Sequence, residues 1–239
     1  MPGTEDTLWH TVSESAYQIH RLMPDSILFG SLLLYFLTKN KAFGVFSVFI
    51  FETVLSHKLV SWGISNINGK VIQDFDIKCR MGYKTPSFNY KRMFSHDPYP
   101  SYGIFSITAI GTYLALAMNE FSETLEEMDK SVKESEKLKD KSTDAPPTVD
   151  PLWHTRCKIS YFFIIVVVLT TIGVRYILCS EFFNEIIMAF AFAVITGILF
   201  FYFNRTLFGK ESMNFLGLPY MVTKQSQGSP IYVCAADKD

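Results

Sequence analysis

Gly173-Val174-Arg175-Tyr176-Ile177-Leu178-Cys179-Ser180-Glu181-Phe182-Phe183-Asn184-Glu185 sets one arginine and two carboxylates between two apolar runs. Neither Ile159 to Gly173 nor Ile186 to Asn204 holds a charged residue. With their neighbours, both runs are long enough to cross most of a hydrocarbon core of about 30 Å, at about 1.5 Å per helical residue. Charge between two such runs marks either a loop at the membrane surface or a site. The four-residue spacing of Glu181 and Glu185 predicts a pair on one face of the helix that follows.

Outward from this stretch, the totals agree with a membrane chain. Of 239 residues, 49% are hydrophobic, with 22 Phe and 12 Tyr, and they are gathered in blocks. A net charge of −1 gives no footing for a nucleic-acid partner. The four cysteines, Cys79, Cys157, Cys179 and Cys234, show no C-x-x-C spacing and no His cluster, so no metal site and no cofactor is expected. Met1 to Asp25 lacks a basic start followed by an apolar core, and no cleaved leader is expected.

The expected fold is all-α: a polytopic membrane helix bundle of about five transmembrane helices, with an N-terminal interfacial helix and a charged extramembrane helix. Residues 1–25 read as the interfacial amphipathic segment, with Leu8, Trp9, Val12, Tyr17, Ile19 and Leu22 among polar neighbours. The bundle occupies 26–204. Its first run, Ser26 to Thr38, is short for a span, and Ala42 to Ile64 is longer but carries Glu52, His57 and Lys58. Charges at that depth pair or snorkel, so Glu52 is expected to meet another helix and Lys58 to reach the span's end. Residues 66–100 form a polar loop rich in Pro, Gly and basic residues.

Pro100 then opens a third span over Ser101 to Met118. Asn119 to Lys141 leads with acids and follows with bases, a helix-compatible order that suits the macrodipole. With the Pro146-Pro147 linker it makes a charged insertion at 119–158, and residues 205–239 read as an irregular tail. Alternating the sides puts 13 Lys and Arg beside the charged helix and the C-terminus and eight on the other. The richer side is assigned to the cytosol. Residues 66–100 and 174–185 then share the opposite side.

There the polar residues resemble the phosphatidic acid phosphatase type 2 superfamily, which includes membrane lipid phosphatases. Its three motifs run K-x6-R-P, P-S-G-H and S-R-x5-H-x3-D. Lys78 and Pro86 have the first spacing, with Thr85 where the arginine belongs. Pro100-Ser101-Tyr102-Gly103 resembles the second, with Tyr for Gly and Gly for His. Val174-Arg175, Glu181 and Glu185 have the third spacing, with Val for Ser and Glu for both His and Asp. Five of eleven positions match, in the right order and at the span boundaries, over about residues 42 to 204.

The resemblance implies a pocket in which lysine and arginine hold phosphate, one histidine attacks and another protonates the leaving group. Both histidines are replaced here, so no catalytic residue is expected and the chain is read as no enzyme. The expectation is a pseudo-phosphatase bundle whose pocket is refilled by an Arg175–Glu181 or Lys78–Glu185 ion pair. Such a chain would be a structural or scaffolding subunit, its partners the lipid bilayer and other proteins of a larger assembly, such as a virion with an internal membrane. A family-like fold would also bring Cys79 near Cys179, close enough for a disulfide. Two other readings stay open: a lipid phosphatase using displaced His57, His96 or His154, and a small transporter or channel built on Glu52, His57 and Lys58.

Overall fold

The structure, a computed structural model, describes residues 4–68, 99–138, 153–214, 220–222 and 231–233. Helix α1 is Thr4–Thr38, α2 Lys41–Asn68, α3 Tyr102–Leu138, α4 Trp153–Leu178 and α5 Phe183–Phe208. A 3-10 turn, Lys210–Met213, follows α5. Tyr220–Val222 (β1) pairs antiparallel with Ile231–Val233 (β2). The helical membrane bundle expected from the sequence is what forms, with this short ribbon added.

Four helices hold segments long and apolar enough to cross a membrane: Lys41–Ile67, Tyr102–Glu123, His154–Ile177 and Phe183–Phe208. Leu22–Thr38 is a shorter apolar stretch. At about 1.5 Å per residue it reaches roughly 26 Å, so tilt or local thinning must make up the remainder of the core. The separation of an interfacial segment from a first span is not seen as a break in the chain. Helix α1 runs without interruption from Thr4 through Pro24 and on to Thr38. Proline removes one helix hydrogen bond there, and the flanking turns hold the helix together. The charged sequence from Asn119 continues α3 as far as Leu138, as its charge order predicts.

Helix α3 is the axis of the bundle. It touches all four other helices, and 67% of its apolar window is buried against 11% for that of α4. Lipid is therefore the natural neighbour of most of α4, whose Phe162, Phe163, Ile165 and Leu169 point outward. The core is aromatic. Tyr113 of α3 is fully buried and stacks on Phe49 of α2, ring centroids 4.0 Å apart, while Phe201 of α5 meets it edge-on. Such pairs contribute beyond their buried area.

Two local devices set the connections. Between α1 and α2, Lys39 takes a positive φ of 56° and its N–H closes onto Tyr35 O, while the Asn40 side chain accepts from Ala42 N. The first ends α1 with a left-handed cap and the second starts α2 with a side-chain cap. After α5, Gly209 at φ 83° reverses the chain so that Met213 is buried and accepts a hydrogen bond from the Tyr113 hydroxyl at 3.0 Å. The tail is thus less irregular than its composition suggests. A returning turn docks on the core, and the β1–β2 ribbon follows.

Candidate functional site

The end of α4, the start of α5, the start of α3 and the far half of α2 meet at one end of the bundle. Helix α4 stops because Ser180 takes a positive φ of 50°, with Cys179 N and Glu181 N both directed at Arg175 O. This left-handed ending folds Glu181 back over the last turn of its own helix. Helix α5 starts only at Phe183, with Phe182 as an N-cap that offers no side-chain hydrogen bond. Glu185 lies in its first turn, where an acid suits the helix dipole. The two glutamates therefore do not form the predicted pair on one helix. The left-handed Ser180 puts Glu181 before the helix, in the corner.

Folded back, Glu181 forms an ion pair from its Oε1 to Arg175 Nη2. Ser101 closes the arrangement: its hydroxyl donates to Glu181 Oε1 at 3.0 Å and its oxygen accepts from Arg175 Nε at 3.2 Å. Arg175 Nη1 also reaches Cys179 Sγ at 3.7 Å. All three members are buried, Arg175 to 5% exposure and Glu181 and Ser101 to 2%. Tyr102, Gly103 and Glu185 are buried around them. Of the two refillings expected from the sequence, the Arg175–Glu181 pair is present. Lys78, Thr85 and Pro86, with the Lys78–Glu185 pairing, lie outside the described residues.

His57, one of the displaced histidines named for the lipid-phosphatase reading, lies beside this corner. It is wholly buried, its Nε2 donates to Pro100 O at 2.6 Å, and its ring stands edge-on to Tyr102 and Phe105. The hydrogen bond fixes the carbonyl just before Ser101 and so the start of α3. A signal was available in the arithmetic: sixteen residues past Lys41 is about 24 Å along a helix of 28 residues, in its far half. His154 is exposed in the first turn of α4, at the opposite end of the bundle, and His96 lies outside the described residues. Glu52 meets another helix as expected, accepting from Asn204 Nδ2 of α5 at 2.8 Å.

A serine hydroxyl donating to a carboxylate is one form of activated nucleophile. Here the same oxygen already accepts from arginine and is closed off from solvent, which suits a structural role. Burial holds the Glu181 carboxyl above its ordinary value of 4.5, outweighing the opposing pull of Arg175 and Ser101, with a further push from Glu185. The folded state therefore keeps this proton to a higher pH than the unfolded chain does. Stability contributed by the group is fully present below 4.5 and is lost as pH rises through the raised folded value. The stability of wild type minus that of Glu181→Gln should thus increase as the pH falls toward 4.5. Unfolding in detergent micelles at stepped pH measures it, and a difference that shrinks on acidification would refute the sign.

Cys179 is disulfide-bonded and Cys157, at the other end of α4, is a free buried thiol. The partner expected for Cys179, Cys79, lies outside the described residues. Among the described residues no group of three His, Cys, Asp or Glu side chains could hold a metal ion. No protein-family model, curated protein or solved structure matches the chain.

Proposed function

We propose that the chain is a non-catalytic integral membrane protein, a bundle with a phosphatase-like order of motifs whose phosphate pocket is occupied by its own side chains. The observation that carries this reading is the Arg175–Glu181–Ser101 triad. The arginine that would hold phosphate donates instead to a carboxylate and a serine of the same chain. A phosphate entering there would have to displace a buried anion and would meet two glutamates.

Its role would be structural, as a subunit of a larger membrane assembly such as a virion with an internal membrane. The solvated part of α3 supports this, since fifteen residues past Glu123 carry the helix about 22 Å beyond its apolar segment. A rigid arm of that length suits contact with other subunits.

The orientation we favour places the α4–α5 corner away from the cytosol. Disulfides persist in oxidising compartments and thiols in reducing ones, and α4 has bonded Cys179 at one end and free Cys157 at the other. The excess of Lys and Arg beside the charged helix points the same way. The α3 arm and the β1–β2 ribbon would then be cytosolic.

Phosphate release from phosphatidic acid in vesicles containing the full-length protein tests the central part. Release at the level of protein-free vesicles is expected. Release above that level and abolished by Ser101→Ala or His96→Ala would make the chain an enzyme and end this reading.

A further inference from the structure

At the end of the bundle opposite the Arg175 corner, α3, α5 and the 3-10 turn line a half-open pocket of about 380 Å³. This is within the size range of small-molecule sites. Asn119, Glu120 and Glu123 line one wall, and Tyr202, Arg205 and Lys210 the other. Its depth is set by the helices. The apolar segment of α3 ends at Glu123 and that of α5 at Phe208, so the pocket lies where phospholipid headgroups lie.

The charges are arranged by sign. Arg205 and Lys210 both converge on Glu120, at 2.6 and 3.5 Å. With Glu123 the lining holds two cations and two carboxylates, a balance that suits a zwitterionic group. Both cationic side chains are about two-fifths exposed, and ion pairs at such exposure are weak and readily shared with another anion. Lys210 also stands 5.8 Å from the Phe121 ring centroid. Its position is fixed by the Gly209 reversal and by Met213, which docks on Tyr113. Across the pocket, Asn119 Nδ2 donates to Glu123 Oε1 at 2.9 Å and holds that carboxylate on the α3 wall. Tyr202 is 52% exposed on α5, and the exposed Ile195, Ile198 and Leu199 share its helical face. That arrangement is an aromatic residue at the interface above an apolar surface for acyl chains.

We propose that this pocket binds the phosphoethanolamine headgroup of a membrane phospholipid, with the phosphate on Arg205 and Lys210 and the ammonium on Glu123. Arginine and lysine are the natural donors to a phosphate, arginine through a planar fork. A primary ammonium donates hydrogen bonds to a carboxylate, and a choline cannot. A glycerol headgroup leaves Glu123 without a cation, and a serine headgroup adds a carboxylate facing Glu120 and Glu123.

The test uses full-length protein, delipidated in detergent, and native mass spectrometry with short-chain phosphatidylethanolamine, phosphatidylcholine and phosphatidylglycerol. Wild type should bind the ethanolamine lipid at least about tenfold more tightly than the other two, a difference of about 1.4 kcal/mol. Arg205→Gln with Lys210→Gln should weaken all three lipids. Glu123→Gln, a change at an exposed residue, should erase the ethanolamine preference. Equal affinities for the three lipids in wild type would overturn the proposal, as would a preference that survives Glu123→Gln. Water-soluble phosphoethanolamine binding as tightly as the lipid would overturn the membrane source.

Discussion

Glu181→Ala should destabilise the bundle by about 3–5 kcal/mol, the cost of removing one member of a buried ion pair. The loss comes from what remains. Arg175, 5% exposed, would keep its charge without a carboxylate, and the Ser101 hydroxyl would lose its acceptor. Glu181 itself is not held in the corner by a strong net attraction, because burial keeps its carboxyl easier to protonate than usual despite the arginine. Desolvation that outweighs the Coulomb attraction is common in buried pairs, and such pairs act more on specificity than on stability. Here the specificity is geometric: the triad ties the end of α4 to the first residue before α3. Reversible unfolding followed by circular dichroism in mixed micelles measures the effect. A loss below about 0.5 kcal/mol, the usual size of a change at an unremarkable surface position, would mean that the pair holds nothing.

Gly197→Leu should cost about 3 kcal/mol, the upper end of the range for overpacking. A Cβ at this position would lie 2.8 Å from Ala109 O and 2.8 Å from Thr112 Cβ. Both belong to α3, so the contact is backbone against helix and cannot be relieved by turning a side chain. Helices in lipid associate through close packing of this kind, with small residues at the crossing. Gly173 provides the control, since a Cβ there meets nothing within 4 Å. Gly173→Ala should gain up to about 1 kcal/mol through lower backbone entropy in the unfolded chain. The same unfolding assay separates the two, and equal effects at Gly197 and Gly173 would refute the close approach of α3 and α5.

The helices were legible because lipid requires long uncharged runs, and those runs fix α2, α4 and α5 almost by length alone. The contact of Glu52 with another helix and the meeting of Arg175 with Glu181 were legible for a related reason: polar groups at such depth must find partners. What could not be read belongs to the joints. Pro24 reads as a boundary, and only packing shows that α1 continues through it. The start of α5 carries no Ser, Thr, Asp or Asn at Phe182, and the left-handed Ser180 leaves no trace in composition. Glu181 therefore read as helical when it lies in the corner. The Glu120–Arg205–Lys210 group depends on α3, α5 and the 3-10 turn meeting in space, which a spacing rule along one helix cannot reach.

A double-mutant cycle on Arg175→Met and Glu181→Leu is the most direct measurement of whether the corner is a clamp made by two residues for each other. Each single substitution should destabilise by several kcal/mol. The double variant, in which two apolar side chains of similar volume fill the corner, should return to within about 1 kcal/mol of wild type. A double variant whose loss equals the sum of the singles would show that Arg175 and Glu181 act independently, and would contradict the clamp.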